Sequence, residues 1–241
     1  MTGAGTADLN VWMPARSSAQ RWTPPPIPTL IVAPHPDDET LLCGGLIARQ
    51  AKSGVPITVL AVTDGEAAYP GDPTELARHR RDEQGRALRT LAGGEVQVDR
   101  LRLPDGRVEE HHSTLVGAIA AHLTTGSLLV TPWRMDHHCD HEAVGRAAYQ
   151  AANGRGTLVA EGLFWTWHHR RPGELPGRLH EVNLACDEQR RRRRALRHHR
   201  TQLEGDGQAH PVLHPDVLGP FEWTSEYFIL STPGDDVDVR S

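Results

Sequence analysis

Two short stretches of the chain concentrate groups that can bind a metal ion or move a proton. The first is His35-Pro36-Asp37-Asp38-Glu39, a histidine and three acids in five positions. A histidine and a carboxylate three residues apart reach a common point when a helix begins between them. An imidazole nitrogen with a hard oxygen is a mixed donor set that suits zinc. Pro36 fixes its own φ and holds His35 extended, which limits how the loop moves. The competing reading is local: Asp37 or Asp38 caps the helix that starts near Thr40. The second stretch is Asp136-His137-His138-Cys139-Asp140-His141, with a helix predicted from about Glu142. Together the two supply two histidines, one carboxylate and an open fourth position, as a catalytic zinc requires. The chain has 15 histidines, so pairing alone is weak. His111-His112, His168-His169 and His198-His199 read as surface residues, as does His137.

The elements that must position these groups alternate. Leu30-Ile31-Val32-Ala33 is an apolar run stopped by Pro34, the signature of a buried strand. Residues 40–53 have helical spacing and are closed by Gly54. A strand follows at residues 57–62, a helix at 75–92, and a strand from Val96–Val98 to Leu101–Leu103, ended by Pro104-Asp105-Gly106. A helix at 112–124, a strand at 128–131 stopped by Pro132, a helix at 141–153 and a fifth strand from Leu158 to Trp165 complete the pattern. Continuous apolar strands alternating with helices predict an α/β fold. Its sheet is Rossmann-like and mostly parallel, with helices on both faces. In such sheets ligands bind beyond the carboxyl ends of the strands. Both chemical stretches fall there.

The chain has 241 residues, 38% apolar and 24% charged, an ordinary globular balance. Residues 1–28 are small and polar and end in Pro24, Pro25, Pro26 and Pro28, which predicts a flexible proline-rich arm. Residues 232–241 read as a frayed acidic tail, leaving 29–231 as a single α/β body. A net charge of -5 excludes a general polycation for nucleic acid. No stretch approaches the roughly 18–20 apolar residues of a membrane span, and the N-terminus lacks the order of a signal peptide. Cys43, Cys139 and Cys186 are few, odd in number and far apart, so a cytoplasmic setting is expected.

Arg190-Arg191-Arg192-Arg193-Arg194, with Arg197 and Arg200, reads as a solvated helix face whose stems cover the body. It has no interleaved aromatics for stacking bases. Trp133 precedes the second stretch, and Trp165 and Trp167 end the fifth strand. Trp133 or Trp167 is placed to line a sugar pocket, against the commoner role of core packing.

His35-Pro36-Asp37-Asp38-Glu39 followed by Asp136-x-His138-x-Asp140-His141 resembles the PIG-L/LmbE-like deacetylase family. Gly44-Gly45, Arg80-x-x-Glu83, Leu103-Pro104-Asp105-Gly106, Ala195-Leu196 with Thr201-Gln202, and Glu226-Tyr227-Phe228 agree with it over roughly residues 29–230. The second stretch departs from the family's His-Pro-Asp-His, because Cys139 stands where proline is usual. The resemblance implies that His35, Asp38 and His141 hold the metal. It implies Asp37 as general base, His138 as acid or oxyanion stabiliser, and Asp140 as the group orienting a neighbouring histidine. Arg80 and Asp105 would hold substrate hydroxyls. The implied cofactor is Zn2+, with Fe2+ as the alternative ion. The implied activity is removal of an N-acetyl group from an amino-sugar-containing small molecule. A metallo-amidase for another amide is the first alternative, and a non-catalytic binding protein with this fold the second. No nucleic-acid or membrane partner is expected, and oligomeric state is not legible.

Overall fold

The computed structural model describes residues 8–205 and 210–231. The elements in chain order are α1 (Met13–Ser17), β1 (Gln20–Arg21), β2 (Thr29–Ala33), α2 (Asp38–Lys52), β3 (Ile57–Ala61), α3 (Pro73–Ala92), β4 (Gln97–Arg100), α4 (His112–His122), β5 (Leu128–Pro132), α5 (Cys139–Ala152), β6 (Leu158–Gly162), α6 (Thr166–His169), β7 (His180–Asn183), α7 (Cys186–Leu196), α8 (Arg200–Glu204) and β8 (Ser225–Ser231). The strands form one sheet in the order β1-β7-β8-β6-β5-β2-β3-β4. β8 runs antiparallel to both neighbours, and the other pairs are parallel.

The expected mostly parallel sheet with helices on both faces is what forms. Alternation along β2 sorts its side chains. Ile31 and Ala33 pack with Leu42, Leu46 and Ile47 of α2, Leu88 and Leu91 of α3, and Ala195 of α7. Leu30 and Val32 pack on the other face with Ile119 of α4 and Val144 and Ala148 of α5. A strand covered on both sides has no polar face to show, which is why β2 reads as a continuous apolar run. The chain winds from β2 outward to β3 and β4, then returns to β5 on the other side of β2. The topological switch point therefore lies between β2 and β5.

Several expectations change. The fifth strand stops at Gly162 rather than Trp165, because the next amide groups turn toward a buried carboxylate described below. Arg102 adopts φ 54 just after β4 and ends that strand before Leu103. The N-terminal arm expected over residues 1–28 is not free from Asp8 onward. Trp12 is fully buried, its Nε1 donates to the Trp167 carbonyl at 3.0 Å, and the two rings meet edge to face at 4.9 Å. The Arg16 guanidinium lies 3.5 Å over the Trp223 ring, and β1 pairs with β7. Apolar anchoring outweighs the flexibility that small polar residues and prolines suggested. Residues 1–7 and the acidic tail at 232–241 lie outside the described residues.

His199 and Arg192 also depart from a surface role. His199 is fully buried and pairs with Thr40 at 3.0 Å. Arg192 is buried 3.4 Å from Glu226, with its guanidinium 4.1 Å over Phe221, while Arg190, Arg193 and Arg194 remain exposed. Glu226 explains part of the helix that follows the first chemical stretch. α2 is kinked at Cys43 (φ −148). The amides of Gly45 and Leu46 donate instead to Glu226 Oε1 and Oε2, at 2.7 and 2.9 Å. Gly45 is required by close approach, since a Cβ there would lie 2.4 Å from Leu184 Cδ2.

Truncating a fully buried tryptophan costs about 3–5 kcal/mol. Trp12→Ala should therefore lower unfolding stability by that order in urea titration. A loss under about 1 kcal/mol would show that the N-terminal segment contributes little to the fold.

Candidate active site

β2 and β5 are adjacent and in parallel register, Thr29 to Leu128 through Ile31 to Val130, so their carboxyl ends lie side by side. Each opens into one of the two chemical stretches. Pro34 ends β2, and the chain folds back on itself at once. The amides of Asp37 and Asp38 donate to the His35 carbonyl at 2.9 and 3.3 Å, and the His35 amide donates to Asp38 Oδ2 at 2.9 Å. The Asp37 side chain makes no capping hydrogen bond to α2. Helix capping therefore does not account for Asp37.

The two loops meet at Asp38. Its Oδ2 lies 3.1 Å from His35 Nδ1, and its Oδ1 lies 3.2 Å from His141 Nε2. These donor atoms are all within 4.8 Å of one another. Each imidazole is oriented from behind. His141 Nδ1 lies 2.8 Å from Asp136 Oδ2, which leaves Nε2 to face Asp38. His35 Nε2 lies 3.2 Å from both Asp140 Oδ2 and Asp105 Oδ1, which leaves Nδ1 to face Asp38. A carboxylate behind each histidine fixes tautomer and ring orientation, the usual support of a metal-binding imidazole. Asp140 is itself fixed, accepting from the amides of Gly106 at 2.7 Å and Val108 at 3.2 Å.

Asp136, which opens the second stretch, has a role that the sequence alone does not announce. It is fully buried, and its Oδ1 accepts from the amides of Phe164 (3.0 Å) and Thr166 (2.9 Å) and from the Thr166 hydroxyl (2.6 Å). Its Oδ2 accepts from the Trp165 amide at 3.2 Å. This carboxylate draws the chain away from β6. The available signal was an acid five residues before His141, on the same loop.

The remaining sequence candidates separate. Asp37 is buried beside the trio, with the Arg80 guanidinium 3.9 Å from its Oδ2. Arg80 is buried too and donates to the Gly65 carbonyl at 2.7 Å. Asp105 accepts from the Ala67 amide at 2.9 Å and faces His35. The His138 ring stands 4.8 Å from His141 and 5.1 Å from His35. Trp133 is not in the pocket. Its amide continues the sheet ladder to Gly162 at 2.8 Å, and its fully buried ring joins Trp12 and Trp167 in an aromatic core. Trp167 is buried in the same core. Cys139 Sγ is exposed and belongs to neither group of convergent donors found among the described residues.

Electrostatics follow from many acids around few bases. Burial alone lowers the His35 imidazole, but hydrogen bonds to Asp105, Asp140 and Asp38 raise it well above its ordinary value. His141 is likewise opposed by burial and lifted to about 9 by Asp38 and Asp136. Asp38 is held well below the carboxylate range, despite burial, by His141 and His35. Burial and the Asp38 charge push Asp37 up to about 6. His138 is pushed down to about 4 by burial and by the two neighbouring imidazoles. That shift favours the neutral ring, the form that acts as a hydrogen-bond donor to an oxyanion rather than as an acid. The donor set of two imidazoles and one carboxylate fits a divalent cation, with excess carboxylate around it to balance the charge.

Residues 30–152 match the family described as PIG-L, GlcNAc-PI de-N-acetylase. This is just over half of the chain, and the chain belongs to that family. It is 35% identical over 102 residues to 1D-myo-inositol 2-acetamido-2-deoxy-alpha-D-glucopyranoside deacetylase of Tsukamurella paurometabola, covering 38% of this chain and 34% of that one. The chain thus spans about a third of the length of that curated relative. It is 29% identical over 187 residues to a probable N-acetyl-alpha-D-glucosaminyl L-malate deacetylase of Bacillus subtilis, covering 73% of this chain and 83% of that one. The fold is shared with the zinc-inhibited form of a teicoplanin deacetylase, at 22% identity and TM-score 0.61 over 86% of this chain and 99% of that one.

Two outcomes follow for metal binding. In the cation-free protein His35 and His141 hold protons near neutral pH, and these must leave before the nitrogens bind an ion. Affinity should therefore rise with pH as these two imidazoles lose their protons, His141 near 9. Calorimetry in a pH series checks the sign, and a flat profile would contradict it. Asp136→Asn should weaken metal binding about 10–100-fold, the usual cost of losing a carboxylate behind a ligand histidine.

Proposed function

We propose that this chain is a metal-dependent hydrolase that releases acetate from an N-acetylated amino sugar or its small-molecule conjugate, with zinc as the resident ion. The observation that carries this reading is Asp37. It is a buried carboxylate whose side chain makes no capping hydrogen bond to its helix, standing beside three convergent metal donors at the topological switch point. The names of the relatives, which act on N-acetylglucosaminyl compounds, support the substrate class.

His35, Asp38 and His141 would hold the ion. When bound, it supplies Lewis acidity toward the acyl oxygen and the attacking water. Asp37 takes the proton that the water loses, and its raised pKa suits it to return that proton to the departing amine. Arg80 keeps Asp37 from remaining protonated, because its guanidinium opposes the burial effect. Neutral His138 donates one ring N–H to the acyl oxygen as negative charge gathers there. A preorganised donor stabilises that charge without reorganising. Asp140 and Asp105 restrain His35, and Asp136 restrains His141. Asp105 is also placed to accept a substrate hydroxyl through its partly open side.

Purified protein should release acetate from at least one member of a panel of N-acetylglucosaminides and their conjugates. Asp37→Ala should keep one metal ion per chain and lose about 10²–10⁴ of turnover, the usual range for a general base. Metal analysis beside the acetate assay checks both parts. Loss of the ion in this variant would mean that Asp37, not Asp38, is the ligand. Turnover of N-acyl peptides alone would exclude the sugar reading.

A further inference from the structure

The three tryptophans near the second chemical stretch have different fates. Trp133 and Trp167 lie in the aromatic core, whereas Trp165 is half-buried, packing on the main core with part of its ring and standing beside His138. Its ring runs nearly parallel to that of His138, 18° between planes and 6.1 Å between centroids. His169 follows at 6.0 Å from Trp165, and the exposed His137 stacks on His169 at 4.5 Å. With His138 standing 4.8 Å from His141, these rings form one wall from the metal donors to the surface.

The wall is held in place. Asp136 Oδ2 accepts from the Trp165 amide and also pairs with His141, so one carboxylate positions both a metal donor and this aromatic. His137 has φ 66, in the left-handed region that histidine enters more readily than most residues with a side chain. Its amide donates to Glu142 Oε1 at 3.1 Å, which with the ring stack secures that backbone. Backbone strain of this kind tends to persist where a side chain must be aimed.

Asp37, Asp38 and His141 are buried, so a substrate's bulk beyond its acyl group must lie where the surface opens. His138 and Trp165, unlike those three, are only partly buried. An indole face offers a broad apolar surface to the C–H face of a saturated ring. The outer imidazoles offer hydrogen-bonding groups for its hydroxyls. We propose that Trp165, flanked by His169, is the platform on which the ring of the departing amine stacks, selecting glycosyl amines over acyclic ones. The proposal rests on the deacetylase reading above and deepens it.

The test measures binding of two amine products that cannot turn over, methyl glucosaminide and the acyclic ethanolamine. Calorimetry and tryptophan emission are read on wild type, Trp165→Ala, Trp165→Phe and His169→Ala, with circular dichroism to check folding. The sugar should bind wild type more tightly than ethanolamine does, and it should change the emission. Trp165→Ala should weaken the sugar about tenfold, the upper range for one aromatic contact, and leave ethanolamine unchanged. Trp165→Phe should abolish the emission change although the other five of the six tryptophans remain. If Trp165→Ala does not fold, the Phe variant and the exposed His169→Ala carry the test. Equal weakening of both amines, an emission change that survives Trp165→Phe, or no preference for the sugar in wild type would each overturn the proposal. Sugar binding as described without acetate release from any N-acetylated substrate would instead remove the deacetylase reading and leave the platform standing.

Discussion

One buried carboxylate shared by two imidazoles is the interaction on which the rest of this structure depends. Asp38 reaches His35 with one oxygen and His141 with the other, and the two histidines come from loops that follow neighbouring strands. Asp37, Asp38, Asp105, Asp136 and Asp140 surround these two rings, with Arg80 as a compensating guanidinium. Charges taken out of water are costly unless they are paired and hydrogen-bonded. Without an ion the compensation comes from protons, which is why both imidazoles are raised. A divalent cation provides the same compensation at one point. The donor set thus fits an exchange of protons for a divalent cation.

The fold supplies that point with little freedom. The parallel pairing of β2 and β5 sets the separation of the two loops, and α2 must start at Asp38 for its side chain to turn back toward His35. α2 then kinks at Cys43, and Glu226 on β8 satisfies the amides freed by the kink. Arg192 of α7 holds the other side of Glu226. The helix that carries Asp38 is therefore tied to both the far antiparallel strand and the late helix. Asp136 performs a similar service for α5, joining His141 to the turn after β6. The placement of the His35, Asp38 and His141 side chains thus depends on contacts well away from them.

Much of this was legible in sequence. Apolar runs stopped by proline or glycine gave the strands at β2, β3 and β5, because such strands are covered on both faces. The position of both chemical stretches after strand ends placed His35, Asp37, Asp38, His138, Asp140 and His141 in one crevice. What escaped notice was long-range and local in effect. Nothing in the small polar residues before Thr29 signals that Trp12 finds a cavity beside Trp167, since that pairing spans most of the chain. Trp133 read as a pocket residue because it adjoins the motif, yet one more rung of the β5–β6 ladder keeps its backbone in the sheet. His199 and Arg192 sit in polar runs that look solvated, and only the third dimension supplies Thr40 and Glu226 as partners. In sequence, Trp165 falls at the end of the fifth strand. Its real position follows from Asp136, whose partners lie beyond any local pattern.

The central claim is most directly tested by X-ray absorption at the zinc edge on the zinc-loaded protein. The account predicts one ion per chain with two imidazole nitrogens, at about 2.0–2.1 Å, and oxygen donors completing the shell. A sulfur scatterer at about 2.3 Å would place Cys139 on the metal. That result, or failure to bind one ion per chain, would contradict a centre built on His35, Asp38 and His141.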